Sequence, residues 1–316
     1  MALQRIFVGI DVSKDWLDLW LEPLKRFERL SNDAVGWAAT VGLLNSVGGV
    51  GLVVAFEATG GYERDLRQAL LEAGFEVRRL NPLRVRLYAK SLGRNAKNDR
   101  IDARVIARYA EAADTMPETL DPARERLAEL VSHRRRLIDE RVAIGNQTNM
   151  LRCSLLQAQN RKRLALIERQ IEATDDVILE AIGGIPALPA KIKLLKTLKG
   201  VKDITAIALV ALLPELGRLT RRAIAALVGL APFDHDSGKL KGTRAIAGGR
   251  TAVRTALYMA ARAAARSKSP LGDFYKRLIA AGKAPKLATV ALMRKMLVTL
   301  NAMIRDNEAW KHAKAR

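Results

Sequence analysis

Four acidic residues in the first third of the chain have the types and spacing of a metal site. Asp11 ends an apolar run in FVGIDVSKD, and Glu57 ends another in VVAFEATGG. Asp99 and Asp102 lie three positions apart near the start of the helical sequence DRIDARVIARYAEA, so they share one helix face. Carboxylate oxygens suit Mg²⁺, and a pair of such ions can activate a phosphodiester. The four acids therefore predict phosphodiester chemistry on magnesium.

Each of the four acids also has a purely structural interpretation. Asp99 has the residue type of a helix cap, with Asp102 in the favourable first turn. Asp11 can begin a turn, and Glu57 can be a solvated strand end. We favour the metal interpretation because Asp11 and Glu57 each follow an apolar run that should be buried, where an unpaired charge is costly.

The first 118 residues alternate strand and helix patterns. Strands are predicted at 5–13, 15–22, 27–33, 51–61 and 75–82, and helices at 34–47, 62–74 and from 99 onward. Three strands followed by αβαβα predict an α/β domain with a mixed sheet, in the element order of a ribonuclease H-like domain. In that fold the strands that end in Asp11 and Glu57 are neighbours, and a helix packed across the same edge adds its own carboxylates.

The middle of the chain, from 121 to about 181, has a long helical pattern. Leu130, Leu137, Ile144 and Leu151 recur every seven residues, with charged residues on the other faces. Gly145 and Asn149, however, interrupt this seam. The pattern predicts a coiled coil or a helical hairpin that oligomerises, and a simple bundle helix is the alternative.

The positive charge of the chain is concentrated at its carboxyl end. Residues 1–118 carry 17 Lys/Arg against 16 Asp/Glu, residues 119–190 carry 11 against 10, and residues 191–316 carry 26 against 7. Such concentration predicts a surface for a polyanion, most simply nucleic acid, with an anionic membrane as the weaker competitor. We therefore predict three domains, at 1–118, 119–190 and 191–316, with the Gly/Pro-rich stretch 183–191 as the hinge before the last.

Two patterns in the last domain predict contacts with a nucleic-acid backbone. The stretch 195–216 resembles a helix-hairpin-helix, in which a turn at Gly200-Val201 flanked by Lys199 and Lys202 offers backbone N–H groups to a phosphate. Further on, one helix face repeats basic residues four apart, interrupted by Tyr258, with no acid before Asp273. The basic residues of that stripe are Arg250, Arg254, Arg262 and Arg266.

Four motifs in this order give the chain a family resemblance. They are GIDVSKDWLDLWL, FEATGGYERDLRQALLEAG, LNPLRVRLYAKSLGRNAKNDRIDARVIARYA and GLAPFDHDSGKLKG. The chain resembles the DEDD transposases of the insertion sequence one-ten family over residues of about 5–114 and 195–300. The resemblance implies a RuvC-like amino-terminal domain, in which Asp11, Glu57, Asp99 and Asp102 are the metal-binding tetrad, and a carboxy-terminal transposase domain that bears a serine.

The resemblance identifies that serine as Ser237, in the polar loop of the last motif. It implies that the serine attacks DNA, leaving a phosphoserine link and a free 3′ hydroxyl. Gly238 leaves room for a phosphate, and Lys239, Lys241 and Arg244 add positive charge that a nucleic acid would meet. His235 is more simply a phosphate or turn contact than the base of a triad. The implied partners are donor and target DNA, a structured bridge RNA and further copies of the chain, as a dimer or tetramer.

Three other functions compete with a transposase. A metal-dependent RuvC-like nuclease or junction resolvase would use water as the nucleophile and leave Ser237 structural. An actin-like or sugar-kinase ATPase needs a second, related α/β half, and in a non-enzymatic nucleic-acid binder four clustered acids without metal would repel the polyanion. The sequence predicts no transmembrane helix, no signal peptide and, with Cys153 alone, no internal disulfide, as expected in the bacterial cytoplasm near the nucleoid.

Overall fold

The computed structural model describes residues 5–48, 51–58, 60–93, 99–113, 115–233, 245–246 and 248–310. The chain divides into two compact units, Met1–Asp121 and Pro122–Arg316, which are described in turn.

Within its described residues, the first unit contains a mixed sheet of five strands. They are β1 (Ile6–Val12), β2 (Trp16–Glu22), β3 (Arg26–Ser31), β4 (Leu52–Glu57) and β5 (Glu76–Leu80). Their spatial order is β3-β2-β1-β4-β5; β1, β4 and β5 run parallel, and β2 is antiparallel to both β1 and β3. The predicted mixed sheet is confirmed, and its order is compatible with a ribonuclease H-like domain.

Helices pack on both faces of this sheet. They are α1 (Ala34–Val47), α2 (Arg64–Glu72), α3 (Pro82–Ser91) and α4 (Asp99–Ala112). Side chains alternate along β1, so Val8 and Ile10 enter one core with Leu44 of α1, whereas Phe7 enters the other core with Val105 of α4. The face of β1 that contains Phe7 also contains Gly9 and Asp11, and α4 covers it.

Helix α3 is not among the elements predicted from the sequence. It begins at an Asn81-Pro82 pair, in which the Asn81 side chain accepts hydrogen bonds from the backbone N–H groups of Leu83 and Arg84. Val85 is its one buried residue, and Leu83, Val85 and Leu87 alternate with arginines instead of following a helical period. The cap and the proline were the available signals.

The second unit begins with two long helices, α5 (Pro122–Met150) and α6 (Ser154–Gly183). Arg134 of α5 pairs with Asp175 of α6, while Leu137 and Ile144 pack with Ile171 and Ile167. As residue numbers rise along α5, the numbers of the residues that they contact on α6 fall, so the two helices form an antiparallel hairpin. The predicted helical pattern is present, and self-association through it stays a prediction.

The remaining helices share one core with the base of this hairpin. They are α7 (Ala187–Lys196), α8 (Asp203–Leu212), α9 (Arg221–Val228), α10 (Thr251–Ala265), α11 (Pro270–Ala280) and α12 (Pro285–Asp306), and two short strands, β6 (Pro232–Phe233) and β7 (Ala245–Ile246), pair between α9 and α10. Among the described helices only α12 is long and apolar enough to cross a membrane. Leu292, Met296 and Leu300 are fully buried in this core, so α12 packs as a core helix.

Candidate active site

Asp11 and Glu57 end two neighbouring parallel strands. In the β1–β4 ladder, Gly9 lies opposite Ala55 and Ile10 lies opposite Phe56, so Asp11 and Glu57 come next in line. Alternation places both acids on the face of the sheet that α4 covers. The carboxyl ends of two parallel strands meet at one edge, which is a common place for a site in such sheets.

Helix α4 brings Asp102 to the same region. Ala103 and Ala107, on the side of α4 that faces the sheet, are fully buried beside Trp20 of β2. Further along the helix, Arg108 donates a 2.9 Å hydrogen bond to Glu22 of β2. Burial alone would raise the pKa of Glu22, but hydrogen bonding and the positive charges of Arg108 and Arg104 together outweigh burial and lower that pKa. This charged anchor holds the later turns of α4 against the sheet.

The electrostatics of Glu57 show that three carboxylates are close. Burial raises its pKa, the negative charges of Asp11 and Asp102 raise it further, and the guanidinium of Arg86 on α3 opposes them. The result is a pKa of about 7. Glu57 is therefore held where its negative charge is poorly compensated.

A fifth acid, Asp18, lies beside Asp11 and was missed by the sequence analysis. It is directly opposite Asp11 in the β1–β2 ladder and only 4% exposed. Arg29 of β3 neutralises it through two hydrogen bonds of 2.7 and 2.9 Å. The alternation in DWLDLWLE was the available signal, because it places Asp18, Trp20 and Glu22 on one face.

The donor chemistry of this cluster fits a hard divalent cation. The acids Asp11, Glu57 and Asp102 offer only carboxylate oxygens, the ligands that Mg²⁺ prefers. Among the residues that the structure describes, no three acidic, histidine or cysteine side chains are already gathered as ligands of one ion. Asp99 is the first residue of α4, but its side chain lies outside the described part of the chain.

The predicted serine lies outside the described residues, whereas both flanks of its loop are described. Ser237, together with Lys239, Lys241 and Arg244, falls within residues 234–244. On either side, Pro232 pairs with Ile246 in the β6–β7 ladder.

Two glycines and an arginine join those flanks. Gly229 and Gly249 both have positive φ, of 74° and 73°, and a Cβ on Gly249 would lie 2.2 Å from the backbone nitrogen of Gly229. Arg254 donates hydrogen bonds to the carbonyl oxygens of Val228 and Gly248. The residues that follow α9 and those that precede α10 are therefore in contact with each other.

Among the described residues, the predicted nucleic-acid contacts fall into two groups. Arg250 binds Glu215 through two hydrogen bonds, and Arg254 binds the two carbonyls just described, so both guanidiniums have partners inside the unit. Lys199, Lys202 and Arg266 are exposed. Arg262 is exposed as well, with its guanidinium 6.0 Å from the ring centre of Tyr258.

The predicted hairpin turn between α7 and α8 lies on α10. Gly200 has a φ of 96°, and a Cβ there would be 2.5 Å from the carbonyl oxygen of Ala260. Lys199 and Lys202 are thereby held on the same side of the unit as α10. Their contact with nucleic acid stays a prediction.

Comparison with known proteins identifies the family. A transposase family model of the DEDD IS110 type matches residues 8–159, and a model of the IS116/IS110/IS902 transposase family matches residues 192–276. Pilin gene-inverting proteins of Moraxella lacunata and Moraxella bovis are each 27% identical over 325 residues, which covers 96% of this chain and 97% of each relative. DEDD transposases generally use a divalent metal. The chain belongs to the IS110 family of transposases and is a DNA recombinase.

Proposed function

We propose that this recombinase cuts and rejoins DNA with a serine nucleophile, Ser237, assisted by Mg²⁺ bound to the acids of the first unit. The observation that carries the proposal is the β1–β4 register. It supports a site where Asp11 and Glu57 lie side by side under α4, whose first turn contains Asp99 and Asp102.

Each acid has the same role in this proposal, which is to supply carboxylate oxygens to the metal. Bound there, Mg²⁺ would lower the pKa of a coordinated hydroxyl and neutralise charge on the phosphate. The raised pKa of Glu57 supports this assignment, because an acid with uncompensated negative neighbours gains most from a cation.

The reaction begins when the Ser237 oxygen attacks the phosphorus of a phosphodiester and its hydroxyl proton leaves. The new Oγ–P bond replaces the bond from phosphorus to the 3′ oxygen, which departs and takes up a proton as a free 3′ hydroxyl. Attack of another 3′ hydroxyl on the phosphoserine reverses these steps and releases the serine. Bond number is conserved, so no nucleotide cofactor is needed.

The substrates in this proposal are two DNA segments, donor and target. The relatives invert a pilin gene, which supports rearrangement of a defined DNA segment. The family resemblance adds guidance by a structured bridge RNA, assembly of several copies through the α5–α6 hairpin, and action at the bacterial nucleoid. The exposed Lys199, Lys202, Arg262 and Arg266 are the proposed phosphate contacts.

A hydrolytic nuclease or junction resolvase is the competing function. It would use the same acids and the same metal, but water would be the nucleophile and no protein–DNA bond would form. The two functions therefore differ in whether a covalent protein–DNA product forms.

The test incubates purified protein with Mg²⁺, labelled DNA of the insertion sequence that encodes it (the element) and RNA transcribed from the end of that element. A denaturing gel then separates free DNA from DNA attached to protein. We expect an attached band with wild type, and none with Ser237→Ala or Asp11→Ala.

Two exposed residues provide matched controls for these variants. Asp65→Ala on α2 removes an acid from the same unit as Asp11, and Ser154→Ala at the start of α6 removes a serine from the same unit as Ser237; both should keep the band. Cleavage that survives Ser237→Ala without an attached band would establish the hydrolytic nuclease instead.

A further inference from the structure

We infer that Gly9 is a positioning residue of the metal site: by lacking a side chain, it sets how close α4 lies to β1. This inference rests on the proposed metal site. It concerns a residue with no ligand atom of its own, two positions before Asp11 on the same face of the sheet.

The contact between Gly9 and α4 is made by backbone atoms. A Cβ at Gly9 would lie 2.1 Å from the carbonyl oxygen of Ala103 and 2.4 Å from the backbone nitrogen of Ala107. In a helix these two atoms are partners in one hydrogen bond. That bond lies directly over Gly9, and neither atom belongs to a side chain that could rotate away.

Any larger residue at this position would have to lift α4. Ordinary contact of a Cβ begins at 3.4 Å, so a separation of 2.1 Å would have to grow by about 1.3 Å. Asp102 directly precedes Ala103 and would move with the helix, while Asp11 and Glu57 would stay on their strands. Arg104 and Arg108 of α4 both pair with Glu22 of β2, and the same lift would stretch these ion pairs.

A displacement of this size would also change the geometry of the magnesium site. Mg²⁺ requires nearly ideal octahedral geometry with short metal–oxygen distances, so it tolerates little spreading of its ligands. Residues that orient metal ligands without touching the metal change metal affinity by about 10- to 100-fold when replaced. We expect a loss in that range for Gly9→Ala.

The test measures Mn²⁺ binding directly, from the loss of the free-ion electron paramagnetic resonance signal as protein is added. Gly9→Ala should bind Mn²⁺ about 10- to 100-fold more weakly than wild type. Its strand-cleavage activity should return as Mg²⁺ is raised, because the ligands remain and only their spacing has changed. An unchanged Mn²⁺ affinity in folded Gly9→Ala would overturn the inference.

Gly36 provides a control for a clash of the same kind that is unrelated to the metal. A Cβ at Gly36 in α1 would lie 1.8 Å from the carbonyl oxygen of Ser31, in the same unit but under the other face of the sheet. Gly36→Ala should lower the unfolding midpoint without changing Mn²⁺ affinity. Equal losses of Mn²⁺ affinity in Gly36→Ala and Gly9→Ala would reduce Gly9 to an ordinary packing residue.

Three further variants test the role of Gly9 separately from the metal site on which it rests. If Gly9→Ala does not fold, Ala107→Ser adds one atom to the same interface from the helix side, and it should weaken Mn²⁺ binding in the same direction by a smaller factor. Asp11→Asn and Glu57→Gln remove ligands outright. If both bind Mn²⁺ like wild type, the metal site itself is wrong; if both lose binding while Gly9→Ala and Ala107→Ser keep it, only the role of Gly9 is wrong.

Discussion

Replacing Glu57 by glutamine should stabilise the metal-free protein at alkaline pH and leave its stability unchanged in acid. In the folded protein, burial and the charges of Asp11 and Asp102 raise the pKa of Glu57 from 4.5 to about 7. The folded state therefore holds this proton more tightly than the unfolded chain does. The stability that the proton contributes is complete below about pH 4.5 and is lost as the pH rises through about 7.

The size of the effect follows from the difference between the two pKa values. At about 1.36 kcal/mol per unit, a change from 4.5 to about 7 corresponds to ~3.4 kcal/mol. Because Glu57 is only partly buried and water screens its neighbours, we expect about 2 kcal/mol to be measurable. Glutamine keeps the shape of the side chain and removes its charge. The free energy of unfolding of Glu57→Gln should thus exceed that of wild type by about 2 kcal/mol at pH 8 and equal it at pH 4.5.

The assay is urea unfolding in the presence of EDTA, followed by tryptophan fluorescence. Trp16, Trp20 and Trp37 belong to the first unit, so a Trp310→Phe background confines the signal to the unit that contains Glu57. Glu72→Gln, which removes an exposed carboxylate from α2, is the matched control and should change the free energy of unfolding at pH 8 by less than about 0.5 kcal/mol.

Magnesium should reverse the order of stability at pH 8. In the proposed site the ion would neutralise the three carboxylates of wild type and stabilise the folded state by binding it, whereas Glu57→Gln would offer one ligand fewer. A variant that is no more stable than wild type at pH 8 without metal would refute this reasoning. So would a stability difference that is the same at pH 4.5 and pH 8.

Three more predictions concern residues whose partners the structure defines. Arg254→Gln should lower the free energy of unfolding by about 2 kcal/mol and leave the salt dependence of DNA binding unchanged. Arg262→Gln should keep stability and reduce the slope of log affinity against log salt concentration by about one. The opposite pattern in urea unfolding and salt titrations would make Arg254 the phosphate contact. Arg29→Met should lower the free energy of unfolding by about 2 kcal/mol at pH 7, because it leaves the buried carboxylate of Asp18 unpaired beside Asp11. The double variant that adds Asp18→Asn should recover most of that stability, and a double variant as unstable as the single one would contradict the pairing. Gly200→Ala should cost at least about 2 kcal/mol, since its φ is positive and its Cβ would collide with α10; an unchanged unfolding midpoint would show that the turn can lift away at no cost.

The core of the first unit was predictable because its signals are local. Period-2 alternation and buried apolar runs are properties of five to seven consecutive residues, so the strands that end in Asp11 and Glu57 could be read directly. Helix α1 was predicted at its observed bounds for the same reason. The convergence of Asp11, Glu57 and Asp102 followed from the order of those elements.

The features that were missed depend on contacts between distant segments. The stripe of arginines on α10 is visible in the sequence, but several partners of Arg250 and Arg254 lie 26 to 38 residues away and cannot be inferred from spacing. The role of Gly9 was missed for the same reason, because the lack of space for a side chain there arises only when α4 packs across β1. Helix α3 was missed because Leu83, Val85 and Leu87 alternate with arginines, which is the period of a strand, although its cap was visible.

Mass spectrometry of the Ser237 peptide tests the central claim most directly. Protein is incubated with element DNA, RNA from the element end and Mg²⁺, then denatured and digested with nuclease and protease. The proposed mechanism predicts a nucleotide attached through phosphate to Ser237, present with Mg²⁺ and absent with EDTA. Cleaved DNA together with an unmodified Ser237 peptide would contradict it.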